Sequence, residues 1–129
     1  MKRKIVIVED DTAISDILSI ILQRNGYAVE EYVTGEPLMG QLESWPDLFL
    51  LDKQLADIDG LEICRHLKQQ PETSHIPVII LSATPDLHKQ VKDAGGDAFL
   101  EKPFTSSELI RVIENLLERS RMSLAVKQA

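Results

Sequence analysis

Leu48-Phe49-Leu50-Leu51-Asp52 is a run of four apolar residues ended by an acid. It is too short for a helix and lacks polar alternation, so it reads as a strand buried on both faces, as in parallel sheets. The pattern occurs twice more. Ile5-Val6-Ile7-Val8 ends in Glu9-Asp10, and Val78-Ile79-Ile80-Leu81 ends in Ser82. Residues 27–32 and 98–100 complete five strand candidates, the last followed by Glu101-Lys102-Pro103.

Segments of helical period separate these runs. Ile14, Ile17, Leu18, Ile21 and Leu22 form a one-sided stripe, which predicts a helix capped by Asp11 or Thr12 and stopped by Asn25-Gly26. Residues 58–67 carry a second stripe through Leu61, Ile63 and Leu67, ended near Pro71. Val91 and Ala94 mark a short helix before Gly95-Gly96. Thr105 with Glu108 is a capping box, opening a last helix with Leu109, Val112, Ile113, Leu116 and Leu117 on its buried face. A weaker helix is expected over 35–44, interrupted by Pro37 and Gly40.

Five βα units predict an α/β fold, with a parallel sheet covered by helices on both faces. The right-handed crossover rule favours a doubly wound sheet. In such folds ligands bind beyond the carboxyl ends of the strands, at a switch in strand order. Glu9, Asp10, Asp52, Ser82 and Lys102 all stand just past strand ends. Two carboxylates ~4 Å apart repel by about 4 kcal/mol at an effective dielectric of ~20. A cluster of three is therefore costly unless a cation and a transferable anion use it.

Composition narrows the function classes. The 129 residues are 43% hydrophobic and 27% charged, enough for one domain with a core. The net charge is −7, and no basic stripe is visible, which argues against direct nucleic-acid binding. A single cysteine, Cys64, excludes an intramolecular disulfide framework, and its helical neighbours Ile63 and Leu67 point to a buried thiol. No signal-peptide stretch or membrane-spanning run is present, so a soluble cytoplasmic protein is expected.

The strand-end residues suit phosphoryl transfer. A carboxylate is a nucleophile toward phosphorus, provided a cation quietens the incoming anion and donors hold its oxygens. Asp52 is the candidate nucleophile. Glu9 and Asp10 are hard oxygen donors suited to Mg²⁺, with helix N-terminal charge complementarity as the plainer alternative. Lys102 is a phosphate contact, and the Ser82 hydroxyl is either a second donor or the start of a turn. Asp57 and Asp59 read as turn and cap residues before Gly60. Phe99 is either core or an aromatic lever.

Four motifs in order resemble the receiver domain of two-component response regulators: Ile5-Val6-Ile7-Val8-Glu9-Asp10-Asp11, Phe49-Leu50-Leu51-Asp52 with Asp57-Ile58-Asp59-Gly60, Pro77-Val78-Ile79-Ile80-Leu81-Ser82-Ala83, and Phe99-Leu100-Glu101-Lys102-Pro103-Phe104. The match covers residues 3–119. It implies a flavodoxin-like (βα)5 domain, strand order 2-1-3-4-5, over 1–119, with 120–129 as a tail or the start of a linker. It further implies that Asp52 accepts phosphate from a histidine kinase or histidine phosphotransfer protein. Asp10, Asp52 and the backbone carbonyl of Gln54 would bind Mg²⁺, with Mn²⁺ as an alternative and Glu9 acting through water. Lys102 and Ser82 would hold the phosphoryl oxygens. Ser82 and Phe99 would switch the surface of the fourth helix, fifth strand and fifth helix toward an output domain, a target protein or a second receiver. Such a domain is not an enzyme on external substrates; it only phosphorylates and dephosphorylates itself.

Some positions depart from the common receiver pattern. Lys53 and Gln54 follow the acceptor where apolar residues are frequent, Ala56 replaces a frequent proline, and Phe99 replaces a frequent tyrosine. Gln54 and Thr84 occupy positions that tune acyl-phosphate hydrolysis in the family. Three rivals stand beside this reading: an aspartyl-phosphate phosphatase, which would want an acid where Gln54 stands; a flavin module, which would want a Ser/Thr/Gly loop where Glu9-Asp10-Asp11 stands; and a degenerate receiver that only docks.

Overall fold

The computed structural model describes residues 2–40 and 42–128, the side chains of 123–128 excepted. Its elements alternate: β1 (Lys4–Val8), α1 (Thr12–Arg24), β2 (Ala28–Tyr32), α2 (Glu36–Met39), β3 (Leu48–Asp52), α3 (Gly60–Gln69), β4 (Val78–Ser82), α4 (His88–Asp93), β5 (Ala98–Glu101) and α5 (Ser106–Gln128). The five strands pair in parallel in the order β2-β1-β3-β4-β5. This is the doubly wound parallel sheet that the apolar runs imply, in the flavodoxin-like (βα)5 order that the receiver resemblance implies.

Side-chain alternation along each strand divides the core in two. Val6, Val8, Phe49, Leu51, Val78 and Ile80 face α2, α3 and α4, where they meet Leu38, Ile63, Leu67 and Val91. Ile5, Ile7, Leu48, Leu50, Ile79 and Leu81 face α1 and α5, against Leu18, Leu22, Leu109 and Ile113. All twelve strand residues are almost wholly buried, and each contributes roughly 1.5–3 kcal/mol of apolar transfer. Slipping one strand by a residue would exchange the two faces. The apolar runs therefore fix the register that places Val8 beside Leu51 and Asp52 beside Leu81.

Helix ends follow their local chemistry. The Asp11 carboxylate accepts from the N–H groups of Ala13 and Ile14 at 3.0 and 3.2 Å, and Gly26 takes φ +89° after α1. The capping box is reciprocal: Glu108 N–H donates to Thr105 Oγ1 at 3.1 Å, and Thr105 N–H to Glu108 Oε1 at 3.3 Å. The Cys64 thiol is buried and donates to the Ala94 carbonyl at 3.5 Å; burial pushes its pKa up to about 11.

Two expectations need correcting. The helix expected over 35–44 is one turn, Glu36–Met39, because the backbone turns extended at Gly40 (φ −103°, ψ −148°). Trp45, just past that expected helix, lies in the loop after α2 and packs on the α3-side core. Ile17 does not belong to the buried stripe: it is 58% exposed. Ser15, Leu18 and Leu22 define the inner line of α1, and Ile17 falls about 130° from it at 100° per residue. Ser15 is accommodated because its hydroxyl donates to Glu31 Oε1 at 2.9 Å. Beyond Arg119, α5 continues as a helix. No helix among the described residues is long and apolar enough to cross a membrane.

The corrected face of α1 makes a testable contrast. Leu18→Ala should lower stability by about 2–5 kcal/mol, whereas Ile17→Ser should stay within about 0.5 kcal/mol. Denaturant midpoints at constant slope measure both.

Candidate functional site

Parallel register brings the strand ends together. Glu9 follows β1, Asp52 closes β3, Ser82 closes β4 and Lys102 follows β5. Glu9, Asp52 and Ser82 are 1%, 6% and 1% exposed, while Asp10 lies open to solvent. One carboxylate oxygen each of Glu9, Asp10 and Asp52 lies within 4.8 Å of the others. Such an all-oxygen set fits a hard divalent cation such as Mg²⁺ or Mn²⁺, which favours carboxylates, carbonyls and water. Lys102 Nζ reaches the cluster from the far side of β4. It donates to Glu9 Oε1 at 3.1 Å and to Asp52 Oδ2 at 3.4 Å.

Charges this close to a core perturb one another. Burial, then the neighbouring Asp52, raises the Glu9 carboxyl to about 7 despite the opposing Lys102 ammonium. Burial works against the charge on Lys102, but its hydrogen bond to Glu9 and the charges of Asp52 and Glu9 outweigh it and raise its pKa. The metal-free cluster is short of positive charge.

The remaining candidates surround this centre. Gln54 is exposed, and its N–H donates to Asp52 Oδ1 at 3.3 Å. Ser82 Oγ accepts from the Thr84 N–H at 3.1 Å, forming the turn that leaves β4. Lys102 is joined to Pro103 by a cis peptide bond. Phe99 is half-buried, packs on the α3-side core, and meets His88 at the start of α4 edge-on, with ring centroids 5.1 Å apart and planes at 83°. It stands apart from the carboxylate cluster, one strand residue behind Leu100.

Two residues read from sequence only as turn formers shape the site. A Cβ at Gly60 would overlap the Asp52 carbonyl oxygen and stand 2.9 Å from Lys53 Cα, so α3 begins against the backbone of Asp52. Asp57 reaches sideways to the β2–α2 turn, accepting from Gly35 N–H at 3.1 and 3.0 Å and from Glu36 N–H at 3.0 Å. These bonds, Gly35 first, hold its carboxyl below the usual carboxylate range. Asp59 caps α3 through the Leu61 N–H at 2.8 Å and pairs with Lys53 Nζ at 2.9 Å.

The model of the response regulator receiver domain matches residues 5–114. The chain belongs to the response regulator receiver domain family. This receiver domain is 37% identical over 98% of its length to the DNA-binding dual master transcriptional regulator RpaA of Synechocystis sp., of which it spans 54%. It spans about half the length of the curated relatives it matches. Among solved structures, it superposes on the signal receiver domain of a signal transduction histidine kinase from Syntrophus aciditrophicus with TM-score 0.82, 32% identity and 90% coverage of both chains. It also superposes on the receiver domain of the sensor histidine kinase PA1611 from Pseudomonas aeruginosa, crystallised with a magnesium ion coordinated in its active-site cleft, with TM-score 0.82 and 25% identity over 92% of this chain and 99% of that one.

The electrostatics of the receiver domain predict a pH dependence. Glu9 titrates at about 7 folded, against 4.5 for the free side chain. Between these values the native state keeps a proton that the unfolded chain has lost, so stability falls as pH rises through the window. In metal-free buffer the loss should be on the order of 3 kcal/mol. Glu9→Gln should flatten it, as read from denaturant midpoints at a series of pH values.

Proposed function

We propose that this receiver domain is a phosphorylation-activated switch that takes a phosphoryl group onto Asp52 from a histidine kinase or histidine phosphotransfer protein. The observation that carries the reading is the placement of one nearly buried carboxylate, Asp52, between cation-suited acids on one side and the Lys102 ammonium, 3.4 Å away, on the other. Asp10, Asp52 and the Gln54 carbonyl would hold Mg²⁺ or Mn²⁺, with Glu9 acting through water. When bound, the cation supplies charge neutralisation between the acids and the incoming phosphoryl oxygens.

The chain's own residues do the rest. An Asp52 carboxylate oxygen attacks phosphorus, the P–N bond of the donor phosphohistidine breaks, and the imidazole leaves with the electron pair and takes a proton from water. Lys102 exchanges its contact with Asp52 for one with a phosphoryl oxygen, a charge-assisted bond. Ser82 gives up its turn contact with Thr84 and donates to a second oxygen. That movement opens space for Phe99 to leave His88 and turn inward. The ring carries no hydroxyl, so the switch works by packing alone.

The surface between residues 84 and 118, made of α4, β5 and α5, then repacks and presents itself to an output domain, a target protein or a second receiver. Residues 1–119 form the switch, and 120–129 are its tail or the start of a linker. Both kinds of parent occur among the relatives: a DNA-binding regulator and sensor kinases. The acyl phosphate forms and hydrolyses on the domain itself, so it needs no external substrate beyond its phosphodonor. A cytoplasmic location fits such a partner set.

With Mg²⁺ and phosphoramidate, intact mass should show one base-labile phosphoryl adduct, absent from Asp52→Ala. Lys102→Ala should slow its formation by on the order of tenfold or more. No adduct, or one that persists in Asp52→Ala, would contradict the reading.

A further inference from the structure

The segment from Lys53 to Asp59 carries the Gln54 carbonyl and follows the acceptor directly, yet it belongs to no helix or strand. Backbone bonds hold its two ends: Lys53 N–H donates to the Leu81 carbonyl at 2.9 Å, Gly60 N–H to the Lys53 carbonyl at 2.8 Å, and the Glu62 and Ile63 N–H groups to the Asp59 carbonyl at 2.9 and 3.2 Å. Between those two ends, residues 54–58 are held by side chains. The ion pair of Lys53 with Asp59 is internal to the loop and partly exposed, and exposed pairs of this kind contribute little. Asp57 differs, because its partners lie outside the loop, more than twenty residues earlier in the chain. Its carboxylate takes two N–H groups at the start of α2, in the charge-assisted geometry that makes such bonds strong.

The other end of this tie is rigid. Gly35 is buried, and a Cβ there would overlap Ile63 Cδ1 and lie 3.6 Å from Leu55 Cδ1. The β2–α2 turn is therefore wedged against α3 and against Leu55, the residue after Gln54. Gln54 lies between two anchors: its own N–H on Asp52 Oδ1, and the Leu55–Asp57 stretch seated on Gly35.

We propose that Asp57 is a positioning residue for phosphoryl transfer, tying the acceptor loop to the α2 N-terminus so that the Gln54 carbonyl and the Asp52 carboxylate face one cation. This rests on the functional reading above and adds a residue outside the reacting cluster. Partners that orient metal ligands without touching the metal commonly change affinity by about 10–100-fold; an exposed tie of two backbone donors belongs at the low end of that range.

The test is Mg²⁺ titration by calorimetry of the full chain, wild type against Asp57→Ala and Asp57→Asn, with phosphoramidate adduct formation followed at low and saturating Mg²⁺. Asp57 is exposed, so both variants should fold. Asp57→Ala should weaken Mg²⁺ binding by about tenfold and slow adduct formation at low Mg²⁺, with the rate largely restored at saturation. Asp57→Asn keeps an acceptor oxygen and should recover most of the affinity. Leu38→Ala, which loosens the core beneath α2, should lower the melting temperature without that change in Mg²⁺ affinity. Wild-type Mg²⁺ affinity in Asp57→Ala, in a chain that binds Mg²⁺ and takes the phosphoryl group, overturns the role of Asp57 alone. A wild type that does neither overturns the functional reading and the tie together.

Discussion

The ammonium of Lys102 lies 3.1 Å from Glu9 and 3.4 Å from Asp52, at the carboxyl edge of a sheet whose strands are buried on both faces. Burying a charge near such a core is expensive unless a partner compensates it. One ammonium compensates two carboxylates only in part, and Asp10 adds a third acid at the rim. Burial first, and then the neighbouring Asp52, shifts Glu9 upward against the pull of Lys102. The apolar runs hold the acids in this arrangement, because no strand can slip without turning its core face to solvent. The sheet stabilises the fold and, through its register, imposes an electrostatic deficit at one edge.

That deficit gives the site a direction. Under the proposed function, a divalent cation would reduce it, and a phosphoryl group arriving with the cation would redistribute it, drawing Lys102 and Ser82 off their present partners. Lys102 is shared between Glu9 at 3.1 Å and Asp52 at 3.4 Å, and Ser82 holds the Thr84 N–H by one turn bond at 3.1 Å. Ser82 pairs with Glu101 in the β4–β5 register, and Phe99 lies two residues back on the same strand. In the proposed switch, a displacement at Ser82 would be delivered to β5 and to the contact with His88 on α4. The population of the two arrangements moves only by the difference in how each accommodates the phosphoryl group.

Much of this was legible in the residues before any coordinates. Continuous apolar runs ended by Asp10, Asp52 and Ser82 are hard to reconcile with any pattern but buried parallel strands, and strand ends in such folds are where chemistry gathers. Three-dimensional proximity was not legible. Gly60 looks like an ordinary turn glycine until α3 is seen resting on the Asp52 carbonyl. Asp57 looks like a turn acid until the β2–α2 turn is brought beside it by a sheet in which β2 and β3 both flank β1. Ile17 satisfied the helical period yet fell outside, because Ser15 found a hydroxyl partner in Glu31 and took an inner position that hydropathy assigns to an apolar residue. The second helix shrank to one turn because Gly40 released the backbone and Leu42 and Trp45 found core contacts without helical spacing.

The central claim is that the strand-end acids form a cation site whose charge deficit the protein is built to have relieved. Thermal unfolding of the full chain against Mg²⁺ concentration tests this most directly, since a ligand of the native state raises the melting temperature by mass action. The account predicts a midpoint that climbs with Mg²⁺ in the wild type and much less in Asp10→Ala, at neutral pH and constant ionic strength. A midpoint indifferent to Mg²⁺, or one that climbs equally in both proteins, would contradict it.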